Sequence, residues 1–76
     1  MSKMTAISYK ALVKVFKHAG FTVSRISGDH IIMKKKGISR PLVIPKKQNI
    51  PVFIILNNLR VAGISKQEYK MLLYRA

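Results

Sequence analysis

The chain has 76 residues and a formal net charge of +13, because 15 lysines and arginines face only two acidic residues. This length predicts one domain over residues 1–76, and the charge predicts a polyanionic partner, such as nucleic acid or an acidic protein. Hydrophobic residues make up 49% of the sequence, so we expect a folded core rather than a disordered basic tail. The acids, Asp29 and Glu68, are far apart in sequence and cysteine is absent. These counts argue against carboxylate metal sites, thiolate zinc sites, thiol nucleophiles and disulfide bonds, so we predict no metal and no cofactor.

The first predicted element is an amphipathic helix over residues 8–19. Lysines lie on its outer face, and its inner face repeats apolar residues at helical spacing: Leu12, Val15, Phe16 and Ala19. Ser8 suits the N-cap, and Gly20 suits the position after the last turn, where a left-handed backbone ends a helix.

The middle of the chain has the pattern of three strands. Residues 21–26 are β-branched and aromatic with a period of two, which predicts the first strand. A glycine-containing turn at residues 27–29 leads into a second strand over residues 30–35. The third strand covers residues 40–44 and contains Pro41, which suits the start of an edge strand because it cannot donate to a sheet. The sequence therefore predicts a three-stranded antiparallel meander.

The remainder of the chain is predicted to be helical. Residues 51–62 are rich in β-branched side chains, but their length, their apolar spacing and Gly63 at the end favour a helix. Ser65 and Glu68 form a capping-box pattern that opens a short last helix and gives Glu68 a structural role. The predicted fold is an α+β two-layer sandwich, with helices on one face of the sheet and the other face open to a partner.

Two histidines are candidates for acid–base chemistry. His18 falls in the last turn of the first helix, where a protonated imidazole suits the helix dipole, so we interpret it as a surface residue. His30 directly follows the turn and is close in sequence to several lysines. RNA supplies its own nucleophile, since cleavage starts when a base removes the proton of a ribose 2′-hydroxyl and cations stabilise the phosphorane. His30 in a basic setting can therefore cleave RNA without a metal, while the acid remains open between His18, a tyrosine and a lysine.

Six cations are candidates for RNA-phosphate contacts. We expect them to flank one end of the meander and to bind RNA in a salt-dependent way: Lys34, Lys35, Lys36, Arg40, Lys46 and Lys47. Base stacking on the sheet needs exposed aromatic residues on adjacent strands, and the predicted strands offer only Phe21. Phosphate binding is therefore the predicted mode of contact.

Four short motifs follow one another along the chain. They are a helix that ends in Gly20 and Phe21, the Gly28-Asp29-His30 start of a strand, a V-x-P strand end at Pro45, and a C-terminal segment over residues 59–69. This ordered set covers nearly the whole chain and resembles the HicA family of small toxins, in which the C-terminal segment has an A-G-I-S-x-E-E-F-like pattern.

This resemblance implies several properties of the protein. It implies a fold like that of the double-stranded RNA-binding domain, and metal-independent endoribonuclease activity on mRNA. It further implies a HicB-like antitoxin as partner, and His30 as the catalytic histidine. Two positions differ from the family pattern: Asp29 stands where a serine usually precedes the histidine, and Lys46-Lys47 follow the V-x-P motif.

Two other kinds of function remain open from the sequence. A non-catalytic RNA-binding module would use the same lysines without depending on His30. A small adaptor protein would bind a protein partner through an apolar surface around Phe53 and Ile54. The chain shows neither a signal-peptide pattern nor an apolar run long enough for a membrane span, so we expect a cytoplasmic protein without a membrane partner.

Overall fold

The computed structural model describes residues 4–75 as three helices and one three-stranded sheet. The elements follow the chain as α1 (Tyr9–His18), β1 (Thr22–Ser27), β2 (His30–Lys34), β3 (Leu42–Pro45), α2 (Val52–Ala62) and α3 (Lys66–Arg75). Both strand pairs are antiparallel and the sheet order is β1-β2-β3. This arrangement confirms the predicted α+β fold of the double-stranded RNA-binding-domain type.

Local capping fixes the ends of α1. The Ser8 hydroxyl accepts a hydrogen bond from the Ala11 backbone N–H at 3.2 Å, which satisfies one of the unpaired donors of the first turn. Gly20 has a φ of 97°, a left-handed value at which most other residues are strained. Both caps were predicted from the sequence.

The three strands place alternate side chains on opposite faces of the sheet. In β2, Ile31 and Met33 are buried against the helices, whereas His30 and Lys34 are exposed on the other face. The third strand begins two residues later than predicted, at Leu42, and extends to Pro45. This shift follows from the register, in which Leu42 pairs with Met33 and Pro45 with His30.

Pro45 is tolerated inside the sheet because of its register. The Lys46 backbone N–H donates to the Asp29 carbonyl at 2.7 Å, so Asp29 and Lys46 occupy a hydrogen-bonded position of the ladder. The next pair, His30 and Pro45, therefore occupies a non-hydrogen-bonded position, where no N–H is needed and opposite Cα atoms approach to about 4.5 Å. This register brings the His30 side chain close to the start of the loop after β3.

Asn58 of α2 closes the outer edge of β3. Its side-chain oxygen accepts from the Val43 N–H at 3.2 Å, and its amide nitrogen donates to the Val43 carbonyl at 3.1 Å. The same nitrogen donates to the Ile54 carbonyl at 3.2 Å. Asn58 is only 4% exposed, so these bonds satisfy a buried amide and fix α2 against the strand.

The last helix completes the core. The Ser65 hydroxyl accepts from the Glu68 N–H at 3.0 Å, which confirms the predicted cap of α3. Tyr69 and Leu72 of α3 are buried together with apolar residues of α1, α2 and the sheet. Within residues 4–75, none of the helices has the length and apolar content required to cross a membrane.

Candidate active site

His30 lies in a cavity of about 570 Å³ on the open face of the sheet. We call this the histidine cavity, and its walls come from the turn after β1, from β3 with the following loop, and from α2: Asp29, His30, Val43, Pro45, Lys46, Lys47 and Ile54. The imidazole is exposed, so a substrate has direct access to it. The residues that line the cavity therefore include one imidazole, two ammonium groups and one carboxylate.

Backbone hydrogen bonds hold the loop after β3 beside His30. The Lys46 N–H donates to Asp29, the residue immediately before the histidine, at 2.7 Å. The Lys47 carbonyl accepts from the Tyr9 N–H at the start of α1 at 2.9 Å, and the Ile50 N–H donates to the Ile7 carbonyl at 2.7 Å. The backbone that carries the two lysines is therefore fixed relative to the histidine, while their side chains remain exposed.

The electrostatics of the histidine cavity favour an anion. Ile54 belongs to the first turn of α2, so the positive end of that helix dipole borders the cavity. This turn contains no acidic residue, and its N-cap is Pro51, which makes no side-chain hydrogen bond to the helix. With Lys46 and Lys47 opposed only by Asp29, the lining has an excess of positive charge suited to phosphate.

The run of lysines from Lys34 to Lys36, here called the lysine run, lies at the opposite end of β2. Lys34 comes four positions after His30, a distance of about 13 Å along a strand. The expectation that all six cations flank one end of the sheet is therefore wrong. The antiparallel register places Lys46 and Lys47 beside His30, and places the lysine run beside the start of β3.

Lys35 has an internal role in the structure. Its ammonium group donates to the Ala19 carbonyl at the end of α1 at 2.8 Å, and lies 5.6 Å from the centroid of the Phe21 ring. A cation at a helix C-terminus is stabilised by the helix dipole, and the ring face adds a cation–π contact. Phe21 is itself buried, so it offers no ring for stacking a base.

Neither His18 nor any tyrosine lines the histidine cavity. His18 ends α1 next to Ala19, which is bound by Lys35, so it lies at the lysine-run end of the molecule. Tyr69 is buried in the core, where burial raises the pKa of its hydroxyl. Of the three kinds of acid left open by the sequence, only lysines line the histidine cavity. In residues 4–75, no group of three histidine or acidic side chains is placed to hold a metal ion.

A second groove adjoins the histidine cavity. It lies between β3 and α2, has a volume of about 460 Å³, and contains Arg40 together with Arg60. We call it the arginine groove. Arg40 was a predicted phosphate contact, whereas Arg60 was missed, although it is exposed and seven residues after Phe53 on α2. That helical spacing is the sequence signal that could have grouped Arg60 with Phe53.

These features define a small basic α+β protein with the fold of a double-stranded RNA-binding domain and an exposed histidine in a cavity lined by two lysines. A family model described as the HicA toxin of bacterial toxin–antitoxin systems matches residues 9–64 of the chain. The protein therefore belongs to the HicA toxin family, as the motif resemblance indicated. It is the toxin of a toxin–antitoxin pair, which implies a cognate antitoxin as its partner. Searches of curated proteins and of solved structures each found no match.

Proposed function

We propose that this toxin is a metal-independent endoribonuclease that cleaves mRNA in the cytoplasm, with His30 as the general base. The observation that carries the proposal is the histidine cavity, in which His30 is exposed beside Lys46 and Lys47. A base and phosphate-binding cations are the two components that RNA cleavage through the 2′-hydroxyl requires.

The reaction proceeds by internal transfer at one phosphodiester. The His30 imidazole takes the proton of the ribose 2′-hydroxyl, and the 2′-oxygen forms a bond to the adjacent phosphorus. The bond from phosphorus to the 5′-oxygen breaks, and this oxygen leaves with a proton supplied by Lys46 or Lys47. The products are a 2′,3′-cyclic phosphate and a 5′-hydroxyl end. DNA is not a substrate because it has no 2′-hydroxyl.

The remaining cations bind phosphates other than the one at which cleavage occurs. Arg40 lies in the adjoining arginine groove, and Lys34 and Lys36 are exposed at the far end of β2. Lys35 is not one of these phosphate contacts, because its ammonium group already binds the Ala19 carbonyl. The phosphate contacts therefore form two groups, one at the reaction centre and one remote from it.

We further propose that the antitoxin is an acidic, HicB-like protein that covers the histidine cavity. A chain with a net charge of +13 attracts an acidic partner and repels itself. Covering Lys46, Lys47 and His30 would exclude RNA from the cavity. Because the antitoxin would bind the folded toxin and not the unfolded chain, its binding would also stabilise the folded toxin.

The His30→Ala variant tests the proposed function, with His18→Ala as the matched control. We expect induced expression of the wild type and of His18→Ala to arrest growth, and His30→Ala to permit growth. With purified proteins and mRNA in the presence of EDTA, His30→Ala should reduce the cleavage rate by about 10²- to 10⁴-fold. RNA binding and circular dichroism spectra should stay unchanged, because His30 is exposed on the sheet.

Three results would contradict the proposal. Equal toxicity of the wild type and His30→Ala would remove His30 from the reaction. Loss of wild-type cleavage in EDTA would show that a metal is required. Salt-dependent RNA binding without cleavage by the wild type would instead identify a non-catalytic RNA-binding module.

A further inference from the structure

The arginine groove lies next to the histidine cavity. Val43 of β3 and Ile54 of α2 line both of them, so the two are neighbours on the surface. On the strand side the arginine groove is lined by Arg40 and Pro41, and on the helix side by Phe53. At about 460 Å³, it falls within the range of small-ligand sites.

One exposed face of α2 forms the helix side of the arginine groove. Phe53, Asn57 and Arg60 recur at positions i, i+4 and i+7, which places them on the same face of the helix. Asn58, the neighbour of Asn57, bonds to Val43 and holds this helix at a fixed distance from β3. The groove is therefore preformed by the fold.

Phe53 presents an aromatic ring to solvent at the mouth of the arginine groove. Its side chain is 71% exposed, whereas Phe16 and Phe21 are buried in the core. Exposed aromatic rings are the platforms on which proteins stack single-stranded bases, with a typical contribution equivalent to roughly 5- to 150-fold in affinity per base. The three strands contain no phenylalanine, tyrosine or tryptophan. Phe53 on α2 therefore provides an aromatic platform of a kind that the strands do not have.

Two guanidinium groups in the arginine groove are available for phosphate. Neither Arg40 nor Arg60 has an ion-pair or hydrogen-bond partner for its side chain among residues 4–75. Guanidinium groups bind phosphate oxygens in a bidentate way. The groove contains no acidic residue, and the amide of Asn57 supplies both a donor and an acceptor for a base edge.

We propose that the arginine groove is a nucleotide-binding subsite for single-stranded RNA. Phe53 stacks on one base, Asn57 contacts its edge, and Arg40 and Arg60 bind the flanking phosphates, while the strand continues into the histidine cavity. The subsite rests on the proposed function, since it places the nucleotide next to the scissile one. A base within a duplex is already stacked on both sides, so this subsite selects single-stranded RNA over double-stranded RNA.

The test measures RNA affinity in a His30→Ala background, so that binding is observed without cleavage. Fluorescence anisotropy with a short, labelled single-stranded RNA should show that Phe53→Ala weakens binding by roughly 5- to 150-fold. Phe53→Tyr should retain the affinity because it retains the ring, and Phe53→Leu should lose it. Tyr74→Ala is the matched control, since Tyr74 is 93% exposed on α3 and should have no effect.

The salt dependence of binding tests the arginine contacts. Arg60→Ala should lower the slope of log K against log salt concentration by about 0.7, the value for one phosphate of a single strand. Arg75→Ala on α3 removes the same charge and should leave the slope unchanged. A duplex of the same sequence should bind more weakly than the single strand, and Phe53→Ala should not change its affinity.

The subsite would be overturned if Phe53→Ala and Arg60→Ala bound single-stranded RNA with wild-type affinity and slope. Unchanged RNA affinity, combined with weaker antitoxin binding by these variants, would assign the groove to a protein partner instead. This failure is distinct from failure of the proposed function. The function fails if the protein with His30 intact does not cleave RNA, whatever the effect of Phe53 on binding.

Discussion

The two ends of the sheet both carry lysines, but these lysines differ in what their ammonium groups contact. At the histidine end, the side chains of Lys46 and Lys47 make no hydrogen bond or ion pair within residues 4–75, although their backbone is held by Asp29 and Tyr9. At the other end, the ammonium group of Lys35 binds the Ala19 carbonyl and the Phe21 ring. Sequence charge alone does not separate a binding lysine from a structural one.

The difference between the two ends originates in the direction of α1. The N-terminus of α1 meets the loop after β3, where the Tyr9 N–H donates to the Lys47 carbonyl. Its C-terminus presents carbonyl groups to the lysine run, and Lys35 is the residue that bonds to one of them. At the histidine end, α1 therefore bonds to the backbone of Lys47, whereas at the other end it bonds to the side chain of Lys35. The side chains of Lys46 and Lys47 remain available for substrate.

The largest expected difference between the two ends is in RNA affinity. The double variant Lys46→Ala/Lys47→Ala should bind single-stranded RNA about a hundredfold more weakly than the wild type. Each lysine is expected to contribute roughly 1.5 kcal/mol of binding free energy. The slope of log K against log salt concentration should fall by about 1.4, since two phosphate contacts are removed. Anisotropy titrations at several salt concentrations in the His30→Ala background measure both quantities.

The matched control for this experiment is the double variant Lys34→Ala/Lys36→Ala, which removes the same charge at the other end. We expect its loss of affinity to be below about tenfold, because only remote phosphates are affected. Equal losses for the two double variants would show that the histidine end is not distinguished by its cations.

A smaller effect is expected on stability at the lysine-run end. Lys35→Ala should lower the free energy of unfolding by about 1 kcal/mol, because it removes a charged hydrogen bond to a helix C-terminus and a cation–π contact at an exposed position. Lys36→Ala should leave it unchanged within about 0.5 kcal/mol. Urea denaturation followed by circular dichroism measures the difference. The structural role of Lys35 would be contradicted if its variant were as stable as wild type but bound RNA as weakly as the Lys46→Ala/Lys47→Ala variant.

The sequence predicted those parts of the fold that depend on neighbouring residues. Ser8 and Ser65 cap helices through bonds to residues three positions ahead, and Gly20 and Gly63 adopt left-handed backbones directly after helices. The period-two pattern of residues 21–26 likewise predicted a strand, and β1 spans Thr22–Ser27, although all six of its residues are exposed. These features were recognisable because each depends on a few adjacent positions.

The parts that the sequence did not predict depend on register and on packing between elements. The antiparallel register of β3 against β2, in which Pro45 pairs with His30, decides that Lys46 and Lys47 lie beside the histidine. Asn58 is one of three polar residues in α2, and only the packing of α2 against β3 reveals its bonds to Val43. The arginine groove exists because of that packing, so Arg60 and Phe53 could not be joined to Arg40 from the sequence.

The most direct test of the central claim is cleavage of an RNA with a single 2′-deoxy substitution at a mapped cleavage position, measured in EDTA. The wild-type toxin should cleave the unsubstituted RNA there, leaving a 2′,3′-cyclic phosphate and a 5′-hydroxyl end. It should leave the substituted position intact, because the nucleophile activated by His30 has been removed. Cleavage at the 2′-deoxy position at an undiminished rate would contradict the account, since the attacking oxygen would then come from a source other than the RNA.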